Sequence, residues 1–507
     1  MVLRESDEHD LPEGLDDPLA LTLRLCEALN AEQIAWCHWK SNDAQAKAAR
    51  GDADLDLLIG RSDMQRFIHA IRRLNFKDAL PPVSKRVPGV FHSYALDGPS
   101  GRLLHIHAHE QLVLGDDTTK NYRLPIEDAY LRSVRSDDAY PLPIPAPELE
   151  FVVFVVRMVL KHSTWDAIAS GKARLAISEQ SEFEDLLQRA DFDAVRAVLH
   201  EDLRFIGDDL WDQSRACVEG HATYRNRIRT AHRLEHALAP YARRRPGRDS
   251  VVRLSRRGRI MIRRHLLHRP SARGRLANGG ALIAVVGGDG SGKSTVVEAL
   301  RDWLAKDLTT TMAHLGKPTS SLTSRIVKRM WKRGGRGLMR ESRVSGATLA
   351  ASDGRSISPR TSARLIQQVT VARDRHLAYR RARRRASAGG IVISDRFPLP
   401  EIELMDGPLA GRMLDTPGGS GLARFLARRE RAYYERIHDP DLLVVLSVDP
   451  DLAVERRRGI DDPDVVRRRC EEIRDRDWSR LDAVVVDAGR SKDEVLAEIK
   501  SAIWSRI

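Results

Sequence analysis

The sequence predicts an α/β protein in which a doubly wound parallel sheet occupies the C-terminal half, with a smaller N-terminal α/β (α+β) domain and a helical connector ahead of it. Three observations lead there. Beyond residue 280, short apolar runs alternate with long helical patterns, the βαβ rhythm of a parallel sheet covered on both faces. The first of these runs, "ALIAVV", leads straight into the glycine-rich "GGDGSGKST", Gly287 to Thr295. At 507 residues the chain also exceeds what one hydrophobic core usually supports, so two or more domains are expected.

Residues 17–145 mix helical patterns ("DPLALTLRLCEALN", "RSDMQRFIHAIRRLN") with short strands ("DLDLLI", "LLHIHAH"). The Pro-rich "YPLPIPAPELE", Tyr140 to Glu150, marks a boundary. From residue 148 the pattern is helical ("ELEFVVFVVRMVLKH", "DFDAVRAVLH", "RIRTAHRLEHALAPYA"), a connector that ends in an arginine-rich segment near residue 275. Residues 278–507 hold the strands "ALIAVV", "GGIVISD", "DLLVVLSV" and "DAVVVDA". Between the first two, a Ser-, Gly- and Arg-rich stretch from Lys317 to Arg360 reads as a partly mobile insertion.

The formal charge is +13, but its placement says more than its sum. Between Tyr241 and Arg275 stand 13 arginines against one aspartate, so the rest of the chain is nearly neutral. Four cysteines without a C-x-x-C pair exclude a disulfide framework and a sulfur-rich zinc site, and fit a reducing cytosol. No run reaches the roughly 18 apolar residues of a membrane span, so a cytoplasmic protein, soluble or peripheral at the inner membrane face, is expected.

Gly287-x4-Gly292-Lys293-Ser294 fits the Walker A phosphate-loop pattern, between a buried strand and a helix start. Glycines let successive N–H groups of Gly287, Asp289, Gly290, Ser291, Gly292, Lys293, Ser294 and Thr295 converge on phosphates, aided by the helix N-terminus. Lys293 would reach the β- and γ-phosphates and Ser294 would sit on Mg²⁺. Asp395-Arg396 closes the strand "GGIVIS", placing one group to organise Mg²⁺ and one to neutralise an acceptor phosphate.

Four segments, "GGDGSGKST", "VARDRHLAYRRARRRASAGGIVISDRF", "DPDLLVVLSVDPDLAVERRR" and "VVVDAGRSKDEVLAEI", together resemble thymidylate kinase and its nucleoside-monophosphate kinase relatives over residues 281–507. The resemblance implies a P-loop kinase fold, ATP as phosphoryl donor, and Mg²⁺. It also implies that Asp289, Arg375 and Arg396 hold the acceptor, and that the lid-like "ERRRGIDDPDVVRRR" supplies catalytic arginines, Arg456 and Arg467 among them. Where that family has Glu-Pro after its second strand this chain has "HLGKP", and "FPLPEIELMDGP" replaces its Ser- and Tyr-bearing segment. Phosphoryl transfer to a phosphate-bearing acceptor such as dTMP is therefore expected, with an altered base pocket.

Nearer the N-terminus, Ser41 precedes Asp54-Leu55-Asp56, whose carboxylates face one side of a strand and could share a divalent metal. This arrangement resembles polymerase-β-type nucleotidyltransferases over about residues 30–130. Two departures stand out: Lys40 occupies the position of that family's Gly, and His105, His107 and His109 replace its third carboxylate. Those imidazoles suit a transition metal better than Mg²⁺, or else form a strand of surface histidines. Fusions of two such domains resemble proteins encoded near bacterial envelope-polysaccharide genes, which opens nucleotidyl transfer or sugar and glycan phosphorylation as alternatives. A third alternative is a non-catalytic, membrane-associated ATP-binding scaffold.

"VVRLSRRGRIMIRRHLLHRP", Val251 to Pro270, has an apolar stripe and a cationic face. It suits an anionic membrane surface, or equally a basic connector helix packed on an acidic neighbour. Nucleotides, such a membrane and a second copy of the chain are the expected partners. Without aromatic interleaving or a known module, nucleic acid is not expected.

Overall fold

The computed structural model describes residues 17–135, 142–263, 273–316, 359–399, 402 and 421–507. Residues 317–358 of the expected insertion, 264–270 of the arginine-rich stretch, and most of "FPLPEIELMDGP" lie outside these. The chain forms two compact units, divided between residues 272 and 273.

In the first unit, β1 (Trp36–His38), β2 (Leu55–Ile59), β3 (Lys77–Leu80), β4 (Val90–Asp97) and β5 (Arg102–His109) lie in the order β1-β2-β5-β4-β3. Only β2 and β5 run parallel; the other neighbours are antiparallel. Period-two alternation decides what each face carries. Leu55, Leu57 and Ile59 of β2 and Leu104, Ile106 and Ala108 of β5 face a core shared with α1 (Ala20–Ala31) and α2 (Met64–Arg73). Asp54, Asp56, His105, His107 and His109 therefore share the opposite face.

Helix α3 (Pro147–His162) is apolar on nearly every side and is enclosed by α4 (Ile177–Arg189), α5 (Phe192–Asp202), α6 (Asp208–Val218) and α7 (Tyr224–Ala237). Its core includes Cys37 and Leu58 from the strands and Trp39 just after β1, so sheet and helices bury a common surface. In α8 (Pro246–Met261), Arg253 is only 2% exposed and meets Asp166 at 3.5 Å, Asp249 at 3.4 Å and Glu235 at 3.6 Å. Arg257 pairs with Asp166 at 3.0 Å and with Asp116. Part of the cationic face is thus packed on acidic neighbours, while Val251, Leu254 and Met261 are exposed.

The second unit contains the parallel sheet the sequence predicts. Strands β6 (Leu282–Gly287), β7 (Thr310–Ala313), β8 (Ile391–Ser394), β9 (Leu442–Ser447) and β10 (Val484–Asp487) lie in the order β7-β8-β6-β9-β10, all parallel. β6, β8 and β9 are almost wholly buried, which explains their unbroken apolar runs. Because the order reverses at β6, the crevice at the carboxyl ends of the strands opens directly above this strand, where ligands bind in such sheets.

Candidate functional site

β6 ends at Gly287, and the loop turns through Gly290 (φ +85°) and Gly292 (φ +81°) into α9 (Lys293–Ala305). Both angles lie in the left-handed region, where a side chain is strained. Close packing constrains two more positions. A Cβ on Gly287 would come within 2.8 Å of Leu446 O, and one on Gly288 within 3.1 Å of Cys470 Cα and closer still to its Sγ. Lys293 Nζ folds back to donate to Gly287 O at 2.8 Å and Gly288 O at 2.5 Å, and Ser291 Oγ donates to Gly288 O at 2.9 Å. Burial lowers the Lys293 pKa to about 8, partly opposed by Asp289 and reinforced by Arg396. Ser294 and Thr295 are exposed at the helix start.

Two helices flank the loop, α12 (Pro450–Arg456) and α13 (Pro463–Arg474). Each starts at an Asp-Pro pair, where Asp449 or Asp462 accepts backbone N–H bonds and the proline fits the first turn. Arg456 donates to Ala488 O at 3.1 Å and Gly290 O at 3.5 Å. From α13, Arg469 holds Asp289 at 2.5 Å. Burial raises the Asp289 pKa, but the Arg469 contact, with Lys293 and Arg396, outweighs it and the carboxyl lies below its usual value. Arg467, expected among the catalytic arginines of the lid-like segment, pairs with exposed Asp451 at 2.6 Å. Successive helical residues turn by about 100°, so only one of three consecutive arginines can face the loop.

Asp395 and Arg396 follow β8 at the carboxyl edge of the sheet. Asp395 Oδ2 lies 3.1 Å from His314 Nδ1, while its buried Oδ1 has no hydrogen-bond partner among the described residues. Arg396 is close enough for its charge to act on both Lys293 and Asp289. Arg375, on the long helix α10 (Pro359–Ser387), is buried; it donates to Gly316 O at 2.7 Å and to the Tyr434 hydroxyl of α11 (Gly421–Tyr434).

In the first unit the carboxylates expected to share a metal are already engaged. Asp54 Oδ1 lies 2.7 Å from His105 Nδ1, and Asp56 Oδ2 lies 2.6 Å from Lys40 Nζ. Burial raises both pKa values, but these neighbours bring both below the usual carboxylate value, Asp56 well below. His107 lies between the pair, 3.6 Å from Asp54 Oδ2 and 3.4 Å from Asp56 Oδ1. His109 is buried edge-on against Trp39. Ser41 adopts φ +55°, and its N–H donates to Glu182 at 2.9 Å, which also takes Arg157 at 2.6 Å. His92, not singled out from the sequence, joins the group because it stands opposite His107 in the β4–β5 register. Burial, with the charges of His107 and His105, lowers its pKa to about 3.

No protein-family model matches the chain. Over 180 residues it is 33% identical to the uncharacterized ATP-binding protein YghR of Escherichia coli strain K12, covering 35% of this chain and 68% of that protein. The protein of the same name from Escherichia coli O6:H1 matches to the same extent. A probable thymidylate kinase of Pyrobaculum aerophilum is 27% identical over 229 residues, 44% of this chain and 96% of that one.

Proposed function

From the premise that the chain belongs to the family of the Escherichia coli ATP-binding protein YghR, we propose that residues 278–507 transfer the γ-phosphoryl group of ATP to a phosphate-bearing acceptor, a nucleoside monophosphate such as dTMP. The observation that carries this is the glycine loop at the sheet's switch point, with Lys293 folded into it and Arg396 near enough to act on Lys293 electrostatically. An acceptor phosphate oxygen attacks the γ-phosphorus, the bond to the β–γ bridging oxygen breaks, and ADP leaves. The chain's part is to position and to neutralise. Lys293 exchanges its two carbonyl partners for phosphate oxygens. Arg396 holds the acceptor, and Arg456 and Arg469 meet charge on the transferred group. Asp289 keeps Arg469 over the loop until a polyanion competes for it.

Asp395 and Ser294 would hold a Mg²⁺ ion, a reading supported by the buried Asp395 Oδ1, which has no hydrogen-bond partner among the described residues. When bound, the ion screens the phosphate charges. The test follows the γ-phosphoryl label from ATP onto dTMP by chromatography. Labelled dTDP is expected from the wild type, with little from Lys293→Ala and a raised KM for dTMP in Arg396→Ala. Label appearing only as inorganic phosphate would sink the acceptor assignment.

For the first unit, a nucleotidyltransferase-like fold is supported by Asp54 and Asp56 lying on one face of the sheet. The engagement of Asp56 by Lys40 argues against a two-magnesium centre there. Peripheral membrane contact through residues 251–270 is supported by exposed Val251, Leu254 and Met261. Co-sedimentation with anionic vesicles, and its loss in a Leu254→Asp, Met261→Asp variant, tests that contact.

A further inference from the structure

We infer that the first unit binds one divalent transition-metal ion of the zinc class through His92, His105 and His107, with Asp54 and Asp56 as outer partners rather than ligands. This is independent of phosphoryl transfer and differs from a carboxylate-held Mg²⁺ site. The argument begins with register. Asp56 of β2 pairs with His107 of β5, and His107 pairs with His92 of β4, so one cross-strand row carries carboxylate, imidazole and imidazole. His105 stands two residues from His107 on the same face, opposite Tyr94. One ring nitrogen from each of the three histidines lies within 4.8 Å of the others.

His92 Nδ1 and His105 Nε2 are 3.3 Å apart. Two nitrogens bound at 2.0–2.1 Å to one tetrahedral ion are separated by about 3.3–3.4 Å, so this pair already spans a tetrahedral edge. Two further ring nitrogens face carboxylates. His105 Nδ1 is held by Asp54 at 2.7 Å, and His107 Nδ1 lies 3.4 Å from Asp56. A carboxylate on the far nitrogen fixes the tautomer and ring orientation of a metal-bound histidine. Tyr94 stacks on His105 at 3.9 Å, which fixes the ring plane further. Lys40 holds Asp56 Oδ2 at 2.6 Å, which keeps that carboxylate an outer partner and leaves the imidazoles as the donors on this face. All three are part-exposed, so an ion can enter and a fourth position can hold water.

The test uses full-length protein stripped with chelator, dialysed against Zn²⁺ and then against metal-free buffer, with bound metal measured by elemental analysis. One zinc per chain is expected in the wild type and in Lys293→Ala, and none in the His92→Ala, His105→Ala double variant. Asp54→Asn should bind Zn²⁺ roughly 10- to 100-fold more weakly, the usual effect of losing an outer partner. Co²⁺ added to stripped wild-type protein provides a check that needs no variant. Intense visible bands of a four- or five-coordinate nitrogen site support the proposal, and the faint bands of an octahedral oxygen site contradict it. Failure of the wild type to retain zinc, or equal retention by a folded double variant, would overturn it.

Discussion

The helical part of the first unit and the glycine loop of the second hold their arginines in opposite ways. In the first, Arg157 and Arg253 are buried and Arg257 nearly so, and they are committed to Glu182, Asp166, Asp249, Glu235 and Asp116. In the second, Arg456, exposed, and Arg469, part-exposed, stand beside a backbone-built loop and are held by backbone carbonyls or by Asp289. A buried pair fixes a fold, since neither charge can return to water. A part-exposed pair at a helix N-terminus can be exchanged for phosphate. The chain's net charge of +13 conceals this division, because an arginine run is partly internal ionic packing and scattered arginines surround the loop.

The strongest blow to this contrast is Asp166→Ala. It takes from Arg253 and Arg257 the one carboxylate they share, leaving Asp249 and Glu235 to the first and Asp116 to the second, and a loss of about 3 kcal/mol is expected in denaturant unfolding of the first unit. Stability unchanged within error would mean that the arginines reach solvent. Next comes Lys293→Ala, which should cost phosphoryl transfer at least about 10²- to 10³-fold while leaving thermal unfolding nearly unchanged. Gly288→Ala is smaller: its Cβ collides with Cys470, so about 1–3 kcal/mol should be lost, and Cys470→Ala should recover part of it.

The smallest effect is a pH dependence. The Lys293 pKa is about 8 in the free loop against 10.5 for an ordinary lysine. Between those values the unfolded chain keeps a proton that the folded loop has released, so this residue's contribution to stability rises with pH through that window. A bound triphosphate restores the proton, so ATP affinity should fall over the same window. Calorimetry near pH 8 in buffers of different ionisation enthalpy should detect proton uptake on binding, and the absence of uptake would contradict the burial argument.

The phosphate loop was legible because its parts are contiguous: strand, glycines, lysine and helix occur within fifteen residues, and local chemistry dictates each one. The alternation of His105, His107 and His109 was legible for the same reason. His92 was not, because only the β4–β5 register brings it opposite His107. His109 keeps the alternation but turns to Trp39, a packing choice that spacing does not encode. Arg469 could not be told from Arg467 without the phase of α13. Glu182 lies 141 residues from the Ser41 N–H it accepts, beyond any local signal. The cationic stripe near residue 253 was visible, but its acidic partners lie on other segments.

The most direct test of phosphoryl transfer is ADP release from Mg²⁺-ATP by the purified chain, with dTMP, other nucleoside monophosphates and sugar phosphates compared in turn. Release stimulated by a nucleoside monophosphate and abolished in Lys293→Ala is the predicted result. Tight ATP binding with no stimulation by any phosphate-bearing acceptor would contradict it.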